Sequence, residues 1–230
     1  MERSLLLVFI TIFLSSTVFS QVETRNSEQN EILSQYLRGV YTDDLSNVDG
    51  SPFLNDTFLP GTIYFDNQNL YANVRYDVVK ENMQVQLKNE EYILKYGIKV
   101  DILGKKYRQF NYRRNDKMMV GYFEVLTEGD SPALSLLKKP LKKLKEGQAA
   151  GAMRPAKDPR YVDKTDFYLS FESSTYAVPV ERRTKKFIKI FPKEHQDQIK
   201  EFMNEKGLKP KKEEDMQEVV TYYNSIVSKQ

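Results

Sequence analysis

The sequence predicts a mainly β fold of the α+β kind: an antiparallel β-meander sheet, sandwich or partial barrel, with a C-terminal helical tail. Three observations lead there. Between about Phe58 and Leu126 the apolar residues recur every second position, in short runs separated by turn formers. No helical segment separates those runs, which argues for hairpins rather than parallel β-α-β units. After residue 184 the apolar period lengthens to that of a helix face.

Taken in order, the chain opens with Glu2 and Arg3, an apolar run from Leu5 to Leu14, and small residues up to Ser20. This is the pattern of a signal peptide over 1–20, cleaved after Ser20; the run is short for a bilayer span, which needs about 20 apolar residues. Residues 21–57 read as a polar lead-in, a short helix and a loop. Ile32, Leu33, Tyr36 and Leu37 share a helix face, Gly39 stops it, and the loop is dense in Asp, Gly, Ser and Pro.

The β domain is expected over 58–183. Thr62 to Phe65, Leu70 to Tyr76, Met83 to Leu87 and Ile98 to Ile102 alternate in side-chain character, and Phe110 to Tyr112 and Met118 to Leu126 follow. Pro140 divides the next leucine- and lysine-rich segment, which predicts an edge strand or two short pieces. Residues 146–164, with Gly147, Gly151, Pro155 and Pro159 and little periodicity, are expected to be a long mobile loop. A hairpin closes the domain around Glu172 to Thr175. In the tail, 184–230, Thr184 precedes Phe187, Ile188 and Phe191. Pro192 opens a helix stopped by Gly207, and Glu213, Glu214 and Asp215 begin a third with Met216, Val219, Val220 and Tyr223 on one stripe.

Composition excludes more than it assigns. The 230 residues carry 35 basic and 32 acidic side chains, a balance that gives no case for nucleic acid. There is no cysteine, so there is neither a disulfide framework nor a lipoprotein anchor. In an exported chain this favours a bacterial envelope protein held together by its core. His195 is the lone histidine, which removes multi-imidazole zinc sites; at the rim of a helix face it reads as packing. Ser135-Leu136-Leu137-Lys138 matches Ser-x-x-Lys formally, but the flanking prolines favour an extended segment that would separate the two groups. No motif calls for a cofactor or a metal, and no catalytic constellation emerges.

What remains is a candidate surface for an anion or a partner. Lys105, Lys106, Arg108, Arg113 and Arg114 interleave with Tyr107, Phe110 and Tyr112, and Lys138, Lys139, Lys142 and Lys143 follow in the next segment. Outside the cytoplasm such a surface would meet acidic lipid head groups or glycans. The plainer reading is a hairpin with aromatics inward and solvated charges outward.

The order of elements has a precedent. The triplet Arg75-Tyr76-Asp77 on a strand, Gly121-Tyr122-Phe123 followed by Glu128 and Gly129, a lysine-rich segment and a helical tail succeed one another. This resembles a broad group of exported β-rich proteins of Gram-negative bacteria whose function is not established. The resemblance implies export to the periplasm or outer envelope and this architecture, and it brings no catalytic residues. The expected function is accordingly a non-enzymatic envelope protein that is a structural component or meets a protein partner. The alternatives are a binding module for an apolar or anionic, lipid-like ligand, or a hydrolase with an unusual site. No membrane span is expected after signal cleavage.

Overall fold

A computed structural model describes residues 36–40, 48–65, 68–88, 90–129, 131–151 and 154–228. The leader 1–20 and most of the first helix fall outside these residues. The chain divides into two units, 1–39 and 40–230. In the first, Leu37–Gly39 is a strand, β1, where the sequence predicts the last turn of a helix.

The second unit is antiparallel throughout its ladder. Its strands are β2 (Leu59–Phe65), β3 (Gln68–Asp77), β4 (Asn82–Leu87), β5 (Glu90–Leu94), β6 (Lys99–Ile102), β7 (Lys105–Arg114), β8 (Lys117–Val125), β9 (Leu134–Lys145), β10 (Arg160–Phe171) and β11 (Val178–Pro179). They lie side by side in the order β5-β4-β3-β2-β6-β7-β8-β9-β10-β11. Nearly every neighbour pair is a sequential hairpin, as the alternation predicts. The exception is β6, which crosses back to pair with β2. The sheet is thus two meanders sharing β2, one running outward to β5 and the other to β11. Gly61 sits at that junction, where a Cβ would come within 2.5 Å of a Val74 methyl and 2.7 Å of the Asp101 carbonyl. Only hydrogen lets β2 lie that close to both neighbours.

Two expectations are corrected beyond this point. β9 is one continuous interior strand between β8 and β10, with Pro140 inside it, so it is neither an edge strand nor two pieces. It pairs with β10 along its full length but with β8 only at Leu137 and Lys138. Pro140 is tolerated because β9 has already parted from β8 where the missing N–H would be needed. The stretch 146–164 is also no open loop: Gln148 bridges Lys157, Gly151 bridges Arg154, and residues from Arg160 onward are β10.

The tail packs on one face of β9 and β10. It comprises α1 (Thr184–Ile188), a 3₁₀ turn (Lys193–His195), α2 (Gln196–Lys206) and α3 (Glu213–Val227). Leu134, Leu136 and Leu169 of the sheet meet Phe187, Phe191, Ile199, Met203, Val219, Val220 and Tyr223 in one buried cluster. Gly207 ends α2 in the left-handed region, φ 69°, as its place after the last apolar residue predicts. Asn224 of α3 fastens the tail by accepting the Leu134 N–H at 2.8 Å and donating to the Leu134 carbonyl at 2.9 Å. The opposite face of β9 carries a second cluster, Tyr112, Phe123, Leu137, Tyr168 and Ala177.

Candidate functional site

Two places in the second unit concentrate chemistry, one inside and one on the surface. The inner one begins where β8 and β9 part. Register would set Tyr122 opposite Pro140, and Leu126 donates to the Leu136 carbonyl, so the alternation of the ladder makes Pro140 the natural donor to the Tyr122 carbonyl. Proline has no N–H to give. The carbonyl is served instead by the side chain next to it: Lys139 Nζ donates to Tyr122 O at 2.9 Å, and the Tyr76 hydroxyl approaches it at 3.3 Å.

Lys139 is fully buried. Its ammonium also donates to the Tyr76 oxygen at 2.9 Å and forms an ion pair with Glu81 Oε2. The Tyr76 hydroxyl donates to the same Oε2, and the Tyr112 hydroxyl reaches Oε1 at 3.3 Å. The rings of Phe123, Tyr112 and Tyr76 surround the nitrogen at 4.8, 5.4 and 5.6 Å from their centroids. Burial pushes the Lys139 amine down to about 8, against the opposing pull of Glu81. Burial, followed by the Glu81 charge, drives the Tyr76 and Tyr112 phenols well above their ordinary range; burial alone does so for Tyr122.

The sequence builds this cluster with three consecutive residues. Arg75 points outward, its guanidinium over the rings of Phe53 and Phe58 at 3.7 and 4.2 Å, bonded to Gln84 at 2.9 Å and Glu91 at 3.3 Å. Tyr76 points inward. Asp77 accepts the N–H groups of Val79 and Lys80 at 3.1 and 2.9 Å, which shapes the turn into β4. That turn ends on Glu81 at φ 56°, a left-handed conformation that aims its carboxylate back over the sheet. Gly121 makes room beneath it, since a Cβ there would lie 2.6 Å from Glu81 Oε2 and 2.7 Å from Lys139 Nζ.

The surface place is an open groove of about 710 Å³ on the outer side of β2, β3 and β6, lined by Thr62, Tyr64, Tyr71, Asn73, Gln86 and Asp101 among others. Tyr71 is 79% exposed at its rim. The Tyr64 hydroxyl donates to Asp101 at 3.0 Å and Arg108 pairs with Asp101 at 2.8 Å, so the floor is a fixed polar row. Lys88 lines the groove, and the register puts Lys99 and Lys106 on the same face.

The nine cations predicted from sequence do not form one surface. Lys106 and Arg108 share the groove face. Lys105 lies on the other face and pairs with Glu124 at 3.3 Å, Lys138 pairs with Glu213 at 2.8 Å, and Lys142 with Asp163 at 2.7 Å. Arg113 and Arg114 are exposed near the tip of the β7–β8 hairpin, on opposite faces, and Lys143 is exposed near the far end of β9. Lys139 is the correction: placed among surface charges by its neighbours in sequence, it is the innermost cation of the cluster above. His195 packs edge-on against Tyr223 with centroids 5.5 Å apart, and Ser135 and Lys138 fall on opposite faces of β9, in keeping with the readings made of both. Among the described residues no three His, Cys, Asp or Glu side chains gather as metal ligands. No helix there is long and apolar enough to cross a membrane. No known family model, curated protein or solved structure matches this chain.

Proposed function

We propose that this chain is an exported envelope protein that acts by binding, and that the groove across β2, β3 and β6 holds an anionic, polar ligand such as a lipid head group or an acidic glycan. The observation that carries the reading is the groove itself, an open sheet face where tyrosine rings and side-chain amides flank a hydrogen-bonded row. Lys88, Lys99, Lys106 and Arg108 outnumber Asp101 and Glu91 on that face, and these acids are already engaged by Arg108 and Arg75. A protein partner seated on the tail is the weaker reading, because the apolar stripe of the tail is spent against β9 and β10.

The test is sedimentation with liposomes containing phosphatidylglycerol and, separately, binding to an acidic polysaccharide. Charge reversal at Lys88 and Lys106 should weaken binding to whichever is bound by roughly tenfold or more, at about 1 kcal/mol per charge near an anionic surface. Tyr71→Ala should weaken it without altering the melting temperature, since that ring is exposed. Binding to neither anion, or binding indifferent to all three substitutions, overturns the proposal.

A further inference from the structure

The Lys139–Glu81 pair has the geometry of a reaction as well as of an ion pair. An amine, a carboxyl carbon and two phenolic donors are held together in an apolar enclosure, joined across 58 residues of sequence. From this arrangement we propose that Lys139 and Glu81 condense into an intramolecular amide, a covalent staple between the β3–β4 turn and β9.

The step balances without any co-reactant. One proton passes from the ammonium to Oε2, giving a neutral amine and a carboxylic acid. Nζ then adds to Cδ, forming the N–C bond, while the charge that develops on Oε1 is met by the Tyr112 hydroxyl already directed at that oxygen. Tyr76 touches both Nζ and Oε2, and is placed to relay a second proton from the nitrogen to the departing oxygen. The Cδ–Oε2 bond breaks and one water leaves. The Lys139 side chain is sealed from solvent and that of Glu81 is 14% exposed, so water has an exit on the carboxyl side only.

Three features favour the amide over the pair. Enclosure holds the amine and carboxyl in contact, which supplies the high effective concentration a condensation needs. The amide removes two charges from an apolar site, where each carries a large desolvation cost. Its remaining N–H still answers the Tyr122 carbonyl, its oxygen still accepts from Tyr112, and the Tyr76 hydroxyl, having lost Oε2, keeps the Tyr122 carbonyl 3.3 Å away as acceptor. The depressed amine at Lys139 adds to this, because burial that disfavours the ammonium favours passing its proton to the carboxylate beside it. A chain with no cysteine has no disulfide to do the same work.

Mass spectrometry of the full-length folded protein after tryptic digestion reads the answer directly. Trypsin cuts after Lys80, Lys88, Lys138 and Lys142, so the amide joins peptide 81–88 to peptide 139–142 in one branched species lighter than their sum by one water. Tyr112→Phe keeps the ring and removes only the hydroxyl on Oε1; it should slow the appearance of that species in pulse-labelled protein by about a hundredfold. Lys139→Arg should abolish it. Complete recovery of 81–88 as a linear peptide from the folded wild-type protein overturns the proposal and leaves a plain ion pair. Branched peptide formed equally fast in Tyr112→Phe overturns the assigned chemistry.

Discussion

Gly121 sets the spacing of the inner site. Its φ is ordinary, so what matters is room: a methyl group there would collide with both the Glu81 carboxylate and the Lys139 ammonium. Lys139 is enclosed by the rings around it, so Glu81, whose side chain reaches solvent, is the group that must shift. Gly121→Ala should therefore separate the two groups before they can condense and cost about 3 kcal/mol or more, the range for stranding a buried charge without its partner. Urea denaturation of variant and wild type measures it; a loss under about 1 kcal/mol would mean that the turn simply lifts. Part of this site was legible in the sequence. Arg75, Tyr76 and Asp77 stood out as a triplet, and each does something different for the cluster. Lys139 was hidden by its company of lysines. Leu137, Lys139 and Leu141 lie at strand spacing, and following that period through Pro140 puts Lys139 on a buried face. A proline read as a break concealed it, when the missing N–H is what calls the lysine amine into the sheet.

At the scale of elements, the tail is held by its apolar stripe and, beside it, by one polar side chain. Asn224 satisfies both backbone groups of Leu134, the first residue of β9, which are turned away from any strand partner on that side. Asn224→Ala would leave a buried donor and a buried acceptor unpaired, at about 1–3 kcal/mol for such a group. The expected result is lower stability together with faster amide hydrogen exchange in 213–227; unchanged exchange there would show that the cluster around Tyr223 holds the helix unaided. The helices were readable because each has its own period and its own stop. The hairpins from β2 to β5 and from β6 to β8 were readable for the same reason, since alternation and turn residues are local. The return of β6 to β2 was not, because which edge a hairpin joins is decided by contacts distant in sequence, here the close approach that Gly61 allows. The bridged hairpin in 146–164 escaped notice because its pairing is backbone to backbone and its side chains are exposed, which leaves no apolar period to read.

For the whole molecule, the buried members of its fifteen tyrosines set an alkaline limit on stability. Tyr76, Tyr107, Tyr112 and Tyr122 are all buried, and burial raises each phenol above its ordinary value near 10. In the unfolded chain they ionise at that ordinary value, while in the folded chain they keep their protons. The unfolded state thus binds fewer protons than the folded one above about pH 10, and stability falls as pH rises. Each such tyrosine contributes a slope of about 1.4 kcal/mol per pH unit once the unfolded form is fully ionised. The contribution is complete below pH 10 and is lost progressively above it. Urea midpoints taken from pH 8 to pH 11.5 should hold or rise up to about pH 10 and then drop steeply. Ultraviolet absorbance should show the buried phenolates appearing only with unfolding. Phenolate signal from all fifteen tyrosines while the fold persists would mean that the core around Tyr76 and Tyr122 is open to hydroxide, and would remove the dry enclosure on which the chemistry at Lys139 depends.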